Sequence, residues 1–437
     1  MRRTYFPGEG EAMARGSLAR ATAIGIAATL ALTACGGNGG GTGGGNEAGS
    51  KKLTISTDLP LQGTSATLSD STNKMIQLYL DQVGNKAGDY EITLKTYDDA
   101  TAAKGNWDDA ACAKNATDHV ANTNEVAVMG TFNSGCTKIE VPTLNQDSDG
   151  PMLIVSHSNT NPGLTKAWET GEPNKYYPTS TRNFARIVTT DDYQGQAAAA
   201  FAYNDLKVKK AYVLNDNQTY GLGVAKSFAE AASKLGIEVV GQQSWDAKQP
   251  NYTALFQSVK ASGADMVYLG GSYESNGGQL VKDKVSVLGA NDGSIKLLAP
   301  DGFSGFPDLL KLPQSAGMNI TFAGLTQEQL IKDGGAGAKL LAAYKAKYGK
   351  DPEGSYPLYG VAAVQVILAA IAKSDGTRKS VNDAVFTGGG IAIPADQSVT
   401  GREVKIDPST GDTTARDITV EVVKDGQETF VKTQSVQ

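Results

Sequence analysis

The sequence predicts an α/β protein built as two doubly wound lobes joined by crossover strands. Three observations carry that expectation. From residue 52, short β-branched or leucine-rich runs alternate with helical stretches, the pattern of a mostly parallel sheet covered on both faces. The alternation stops near residue 188 and then restarts, giving two units of comparable size. Beyond residue 324 a pair of helices and a tail of short strands fit neither repeat, and a chain that crosses back between the units places them most simply.

In the first unit, Lys52–Thr57 reads as a strand. Residues 69–83 read as a helix with Met75, Leu78 and Leu80 inward. Glu91–Tyr97 alternates with period two. A helix follows over 107–122, a strand over 126–130, a helix from 136, and a strand over 152–156. The second unit opens with a helix over 192–206 and a strand over 210–214. Residues 221–235 put Val224, Phe228, Ala231 and Leu235 on one helical face, and Gly236 suits the stop that follows. Strands are expected at 236–240, 265–269, 296–299 and 319–323, with helices at 251–261 and 276–289 between them. Helices at 335–348 and 357–373 come next, and 400–433 reads as short strands.

The first 50 residues read as an address and a tether. Residues 21–34 are an apolar run behind Arg15 and Arg20, short of the roughly 20 apolar residues a permanent span needs. The run fits the hydrophobic region of an export signal. Leu32-Thr33-Ala34-Cys35 looks like a bacterial lipobox, with Cys35 as the lipid-modified first residue after cleavage. Met13 opens a better basic segment than residues 1–12, which carry Glu9 and Glu11. Residues 36–49 hold nine glycines and read as a flexible leash. The expected product is lipid-anchored on the outer face of a cytoplasmic membrane of Gram-positive type.

Composition excludes several classes of function. Losing residues 1–34 removes four Arg and two Glu, which leaves 36 basic against 44 acidic residues, a net charge of −8. That balance offers no basic footprint for nucleic acid. Two histidines in the whole chain argue against a histidine-built metal centre, and neither metal nor cofactor is expected. Cys112 and Cys136 are the remaining cysteines; in an oxidising compartment they form either one bridge or two buried thiols.

Ligands of doubly wound sheets bind beyond the carboxyl ends of strands, and two lobes can face those ends across a cleft. Strand 126–130 runs into Thr131-Phe132-Asn133-Ser134-Gly135, and strand 152–156 into His157-Ser158-Asn159-Thr160-Asn161. Hydroxyls, amides and the backbone N–H groups of a helix start make a neutral anion site, or ordinary helix caps. In the second unit, strand 210–214 leads to Tyr220 at a helix start, strand 265–269 to Gly271-Ser272-Tyr273-Glu274, and strand 296–299 to Pro300-Asp301-Gly302. Asp301 can accept from an ammonium group, or simply close an Asp-Gly turn.

Six pieces in this order resemble the branched-chain amino-acid-binding proteins of ABC importers, which have the type I periplasmic-binding-protein fold with Rossmann-like lobes. They are Tyr97-Asp98-Asp99-Ala100, Val128 through Ser134, Thr160 through Thr165, Asp216 through Gly223, Val267 through Gly271, and Pro300-Asp301-Gly302. The resemblance covers residues 52–433. It implies that Ser134 and Thr160 hold an α-carboxylate and that Ser158 offers its carbonyl to the ammonium group. Asp301 would neutralise that ammonium, standing where leucine-type binders commonly use Glu. Tyr220 would cover the ligand, and a second tyrosine position falls on Ser272 or Tyr273. Asn159 lies in the same ligand loop, and the family's disulfide is near Cys112 and Cys136. Asn133, beside Phe132, replaces a small apolar residue of the side-chain pocket, and Gln62 and Leu68 fall where an aromatic is usual. Aliphatic specificity is therefore less supported than the zwitterion frame, and amides or urea-like solutes are alternatives.

The implied division is 1–34 leader, 35–50 lipidated Cys and tether, 51–188 with 324–404 one lobe, and 189–323 with 405–437 the other. The implied function is capture of a small amino acid by cleft closure, with delivery to permease subunits, by a monomer that is not an enzyme. A sensor subunit using the same cleft is the alternative. Ser71-Thr72-Asn73-Lys74 matches the S-x-x-K pattern of acyl enzymes without its companion motifs. His119 is expected to be structural and His157 to neighbour the pocket.

Overall fold

The computed structural model describes residues 51–435 apart from 333 and 388. The leader, Cys35 and the tether lie outside the described residues. The first sheet contains β1 (Lys51–Leu59), β2 (Lys86–Ala87), β3 (Tyr90–Asp98), β4 (Glu125–Gly130), β5 (Leu153–Ser156) and β6 (Phe184–Arg186), in the order β2-β3-β1-β4-β5-β6. Every pairing is parallel except the short β2 edge on β3. All of β4 and β5 is buried, as strands covered on both faces must be. Helices α1 (Ala66–Gln82), α2 (Asp109–Ala121) and α3 (Ser134–Asn145) make the crossovers.

The second sheet contains β7 (Lys210–Asn215), β8 (Glu238–Ser244), β9 (Met266–Gly270), β10 (Lys296–Ala299) and β11 (Asn319–Phe322). Its helices are α4 (Asp191–Asn204), α5 (Thr219–Lys234), α6 (Thr253–Ser262), α7 (Gly277–Leu288) and the short α8 (Pro307–Leu310). The order β8-β7-β9-β10-β11 repeats the first sheet's β3-β1-β4-β5-β6. The chain then returns to the first sheet through α9 (Gln327–Ile331), α10 (Ala336–Tyr348), α11 (Tyr356–Ala372) and α12 (Arg378–Phe386). Helix α11 packs on α1, β4 and β5 and is buried all round, so its apolar run is a core helix. A two-stranded ribbon, β12 (Ala392–Ile393) with β13 (Val404–Lys405), precedes β14 (Asp417–Lys424) and β15 (Gln427–Ser435), which add antiparallel to β11. Among the described residues, no helix is long and apolar enough to cross a membrane.

Three crossings therefore join the sheets, at residues 187–190, 323–326 and 406–416. They lie side by side. Thr189 N donates to the Ala323 carbonyl at 3.0 Å and its hydroxyl to that of Asp417 at 3.1 Å, while the Thr419 hydroxyl donates to the Gly324 carbonyl at 2.7 Å.

Several elements differ from the expectation, each for a local reason. Gly236, at φ 87°, turns the chain out of α5, so the following strand starts at Glu238 and runs to Ser244 along an exposed polar edge. Leu235 is the C-cap of α5 and 38% exposed, outside the apolar face expected to include it. Strands β2 and β6 are too short to show a period. Helix α12 carries buried Arg378 at its first position, an inward charge that hides its amphipathic pattern. Arg378 donates to the carbonyls of Glu125 (2.8 Å), Val120 (3.1 Å), His119 (3.2 Å) and Asn122 (2.7 Å), and pairs with Asp147. It thereby closes the orphan carbonyls at the end of α2.

Cys112 in α2 and Cys136 in α3 are joined as a disulfide, both fully buried, with a sequence separation of 24. The chain-entropy model gives such a loop about 3–3.5 kcal/mol. The double variant Cys112→Ala, Cys136→Ala is expected to unfold at lower urea by that amount. An unchanged midpoint would show that the bridge contributes nothing net.

Candidate functional site

Both sheets reverse strand order at one point, between β1 and β4 and between β7 and β9, where loops diverge and leave a crevice. The loops after β4, β5, β7, β9 and β10, with the start of α11, converge on a narrow cavity of about 30 Å³. Phe132, Asn133, Ser134, Ser158 and Tyr356 line it from the first lobe; Tyr220, Ser272, Asp301 and Gly302 line it from the second. A larger groove of about 560 Å³ lies beside Trp168 and Lys226, but no buried acid lines it.

Asn133 is the N-cap of α3 and Ser134 its first residue. The Asn133 side chain does not cap its own helix; Nδ2 donates to Glu274 Oε2 at 2.7 Å, and Oδ1 is buried without a partner. Among the described residues the Ser134 hydroxyl makes no hydrogen bond, and it lines the cavity at the positive end of α3. Below it, Ser158 Oγ donates to the Phe132 carbonyl at 2.9 Å.

On the facing wall, Asp301 opens a short 3-10 turn and is 2% exposed. Its Oδ1 accepts from Tyr220 Oη at 2.5 Å and Gln194 Nε2 at 2.8 Å; its Oδ2 accepts from Tyr356 Oη at 2.5 Å. Gln194 is itself fixed, because Oε1 accepts from Asp301 N at 3.0 Å and Thr321 Oγ1 at 2.9 Å. Burial pushes the Asp301 carboxyl up, while the two phenols and the amide pull it back down by favouring the ion. Burial and the Asp301 charge push both phenols up, so they stay donors. Glu274 ties the walls together: Ser65 Oγ donates to Oε1 at 2.5 Å, opposite the Asn133 contact on Oε2.

Five of the expected residues share this cavity: Asn133, Ser134, Ser158, Tyr220 and Asp301. Three do not line it. The Asn159 amide is spent on the loop, Nδ2 donating to the carbonyls of Thr131 and Phe132, both at 3.0 Å. Thr160 is fully buried against Asp191, whose N donates to the Thr160 carbonyl at 2.9 Å. Tyr273 turns away over Gly277 and Gly278 and packs on Phe306 with centroids 5.0 Å apart, so Ser272 takes the wall position. Gln62 reaches Asp98 at 2.7 Å, and Leu68 packs into the core.

Sequence reasoning missed Tyr356, Gln194 and the role of Glu274. Tyr356 sits at a helix start, as Tyr220 does, just before Pro357; that shared placement was its signal. His157 is buried beside the wall, its ring 5.8 Å from Tyr356 and 5.9 Å from Phe132, and burial lowers it to about 3, so it is a neutral ring. His119 lies between Asp58 and Glu125, which outweigh its burial and hold it up near 9. Lys74 pairs with Asp70 at 2.6 Å and the Ser71 hydroxyl accepts from Glu353 N at 3.3 Å, so the S-x-x-K residues are not joined as nucleophile and base.

A family model described as periplasmic binding protein matches residues 53–427. The chain is 28% identical over 270 residues to an "Amino acid binding protein" of Pseudomonas aeruginosa, a match that spans 60% of this chain and 65% of that one. It is 26% identical over 344 residues to the Leu/Ile/Val-binding protein BraC3 of Rhizobium johnstonii, spanning 78% and 85%. Among solved structures, a leucine binding protein from Thermotoga maritima superposes with a TM-score of 0.70 at 21% identity, over 88% of this chain and 99% of that one. A solute binding protein of an ABC transporter from Rhodopseudomonas palustris, in complex with p-hydroxybenzoic acid, gives 0.73 at 17% identity, over 89% and 98%. These likenesses establish the two-lobed fold.

Proposed function

This chain belongs to the periplasmic binding protein family, and we propose from that premise that it is the extracytoplasmic solute-binding subunit of an ABC importer for a small amino acid. One observation carries the reading: an unpaired hydroxyl at a helix N-terminus (Ser134) and a buried acid (Asp301) line opposite walls of one cavity. The first suits a carboxylate and the second an ammonium group. Ser134 and the amino end of α3 hold the carboxylate. Asp301 holds the ammonium, with Tyr220 covering it.

A ligand that touches both walls favours the closed arrangement, because only there are both sets of contacts made. Shifting closure from 1:99 to 99:1 takes about 5.5 kcal/mol of differential affinity. The two lobes are 51–188 with 324–404, and 189–323 with 405–437. Anchoring through a lipid on Cys35, a monomeric state and delivery to membrane permease subunits complete the proposal; handing the signal to a membrane sensor is its alternative.

A second reading of the solute rests on Asn133. Its carbonyl oxygen is buried without a partner, and Glu274 lies behind its amide. A solute with its own N–H donors, such as an amide or urea, satisfies that oxygen; an aliphatic side chain leaves it orphaned.

A thermal-shift screen against amino acids, amides and urea tests both readings. The cognate solute raises the midpoint with concentration. A response to neutral amides alone selects the second reading, and none from any of these solutes rejects both. Ser134→Ala should weaken a carboxylate ligand by about 1.5–3 kcal/mol, the worth of a hydrogen bond to a charged group. Unchanged affinity by calorimetry would remove Ser134 from the site.

A further inference from the structure

The orientation of one side-chain amide in the cavity is set from the opposite lobe. Asn133 lines the cavity just before α3, and Glu274 stands behind it in the loop after β9. Glu274 does not line the cavity itself, and both of its oxygens are engaged. Ser65 Oγ donates to Oε1 at 2.5 Å; Asn133 Nδ2 and Ser272 Oγ donate to Oε2 at 2.7 and 3.3 Å. Burial pushes this carboxyl up, and the three donors pull it back down by favouring the ion. An ionised carboxylate accepts and has nothing to donate. The Asn133 amide therefore has one orientation, with Nδ2 turned to Glu274.

That leaves the Asn133 oxygen. Oδ1 is buried and has no partner among the described residues. Helix α3 does not use it, since the Asn133 side chain makes no cap bond. The neighbouring Ser158 hydroxyl is spent on the Phe132 carbonyl at 2.9 Å, and no Lys or Arg lines the cavity. A buried acceptor left in this way costs free energy until a donor reaches it. Ser65 and Asn133 precede helices of the first lobe, whereas Glu274 follows a strand of the second. The three are joined only where the two walls meet.

We propose that Glu274 is a specificity-determining residue that acts through Asn133: on closure it holds the amide with its oxygen to the solute, and so selects solutes that carry an N–H donor at that point. The inference rests on the second reading of the solute given above and deepens it. Selection falls on the closing step. In the open arrangement Asn133 is free to turn either end of its amide to a solute. Closure brings up Glu274, which takes the N–H end. A solute with only an acceptor there is then left oxygen against oxygen. A solute drives closure only by as much as it prefers the closed state, so this mismatch is a built-in repulsive element. Glu274 touches no solute atom and is a positioning residue.

The test uses two pairs of neutral probes that differ only in NH2 against CH3: acetamide with acetone, and L-asparagine with its methyl-ketone analogue. Calorimetry on the whole protein should show the parent preferring the amide, in whichever pair it binds, by about tenfold, the cost of one unsatisfied buried group. In Glu274→Gln, Ser65 can keep donating to the Gln oxygen, which leaves Nε2 to donate to Asn133 Oδ1. The Asn133 NH2 then turns to the solute. The ketone should bind this variant more tightly than it binds the parent, and the preference should fall to parity or reverse. General damage to the cavity weakens both probes and gives no such gain. Equal weakening of both, or a parent that binds both alike, would overturn the proposal while the reading of the site stands. A parent that binds glycine or alanine but none of the four probes overturns the proposal and spares the amino-acid reading; one that binds no solute overturns both. If Glu274→Gln fails to fold, Asn133→Leu decides: the preference for the amide must vanish, and its persistence would overturn the proposal.

Discussion

Asp301→Asn is expected to weaken an amino-acid ligand by about 2–5 kcal/mol, the cost of truncating one partner of a buried charge pair. At 1.4 kcal/mol per tenfold that is about 30-fold or more in Kd. The substitution keeps the size of the side chain, and an Asn can still accept from one phenol, so the wall should hold its shape. A neutral amide should lose far less. Tyr356→Phe separates the ammonium contact from general damage: its hydroxyl donates to Asp301 Oδ2 at 2.5 Å, and removing it frees that oxygen for a ligand. Calorimetry should therefore show Tyr356→Phe binding a zwitterion as well as or better than the parent. If Asp301→Asn leaves the Kd of every amino acid unchanged, the acid does not meet an ammonium group.

The largest effect on stability is expected at Arg378. This guanidinium is 4% exposed and serves four carbonyls and Asp147. Arg378→Met leaves the buried Asp147 carboxylate without its counter-charge and takes the side-chain donors from the end of α2, a loss of about 3–5 kcal/mol. Lysine does not restore it, because one ammonium cannot reproduce the planar spread of donors. Urea unfolding should show the midpoint fall for both variants. A lysine variant as stable as the parent would mean that charge alone, without the fork geometry, suffices.

Alternation and loop chemistry made most of the fold legible. Strand 296–299 was read to the residue, and the helices around Met75 and Phe228 to within a turn, because long periodic segments carry redundant signals. Arg378 ran the other way: a charge where the pattern wanted an apolar residue hid α12. Ser134 and Asp301 could be placed at the cavity because both lie in the short segments that follow the carboxyl ends of strands. Tyr273 misled, since adjacent loop residues point in opposite directions and only three dimensions show which faces inward. Tyr356 stands more than fifty positions from Asp301, and no local pattern joins them.

The three laced crossings between the sheets restrict how the molecule can move. A body hung on one strap can swivel, twist and drift. One fastened at three points along a common line has a single swing left, like a door on its plates. Thr189 and Thr419 stitch those points to one another, so the axis itself is stiff. Any opening or narrowing of the crevice is therefore expected to follow that one angle.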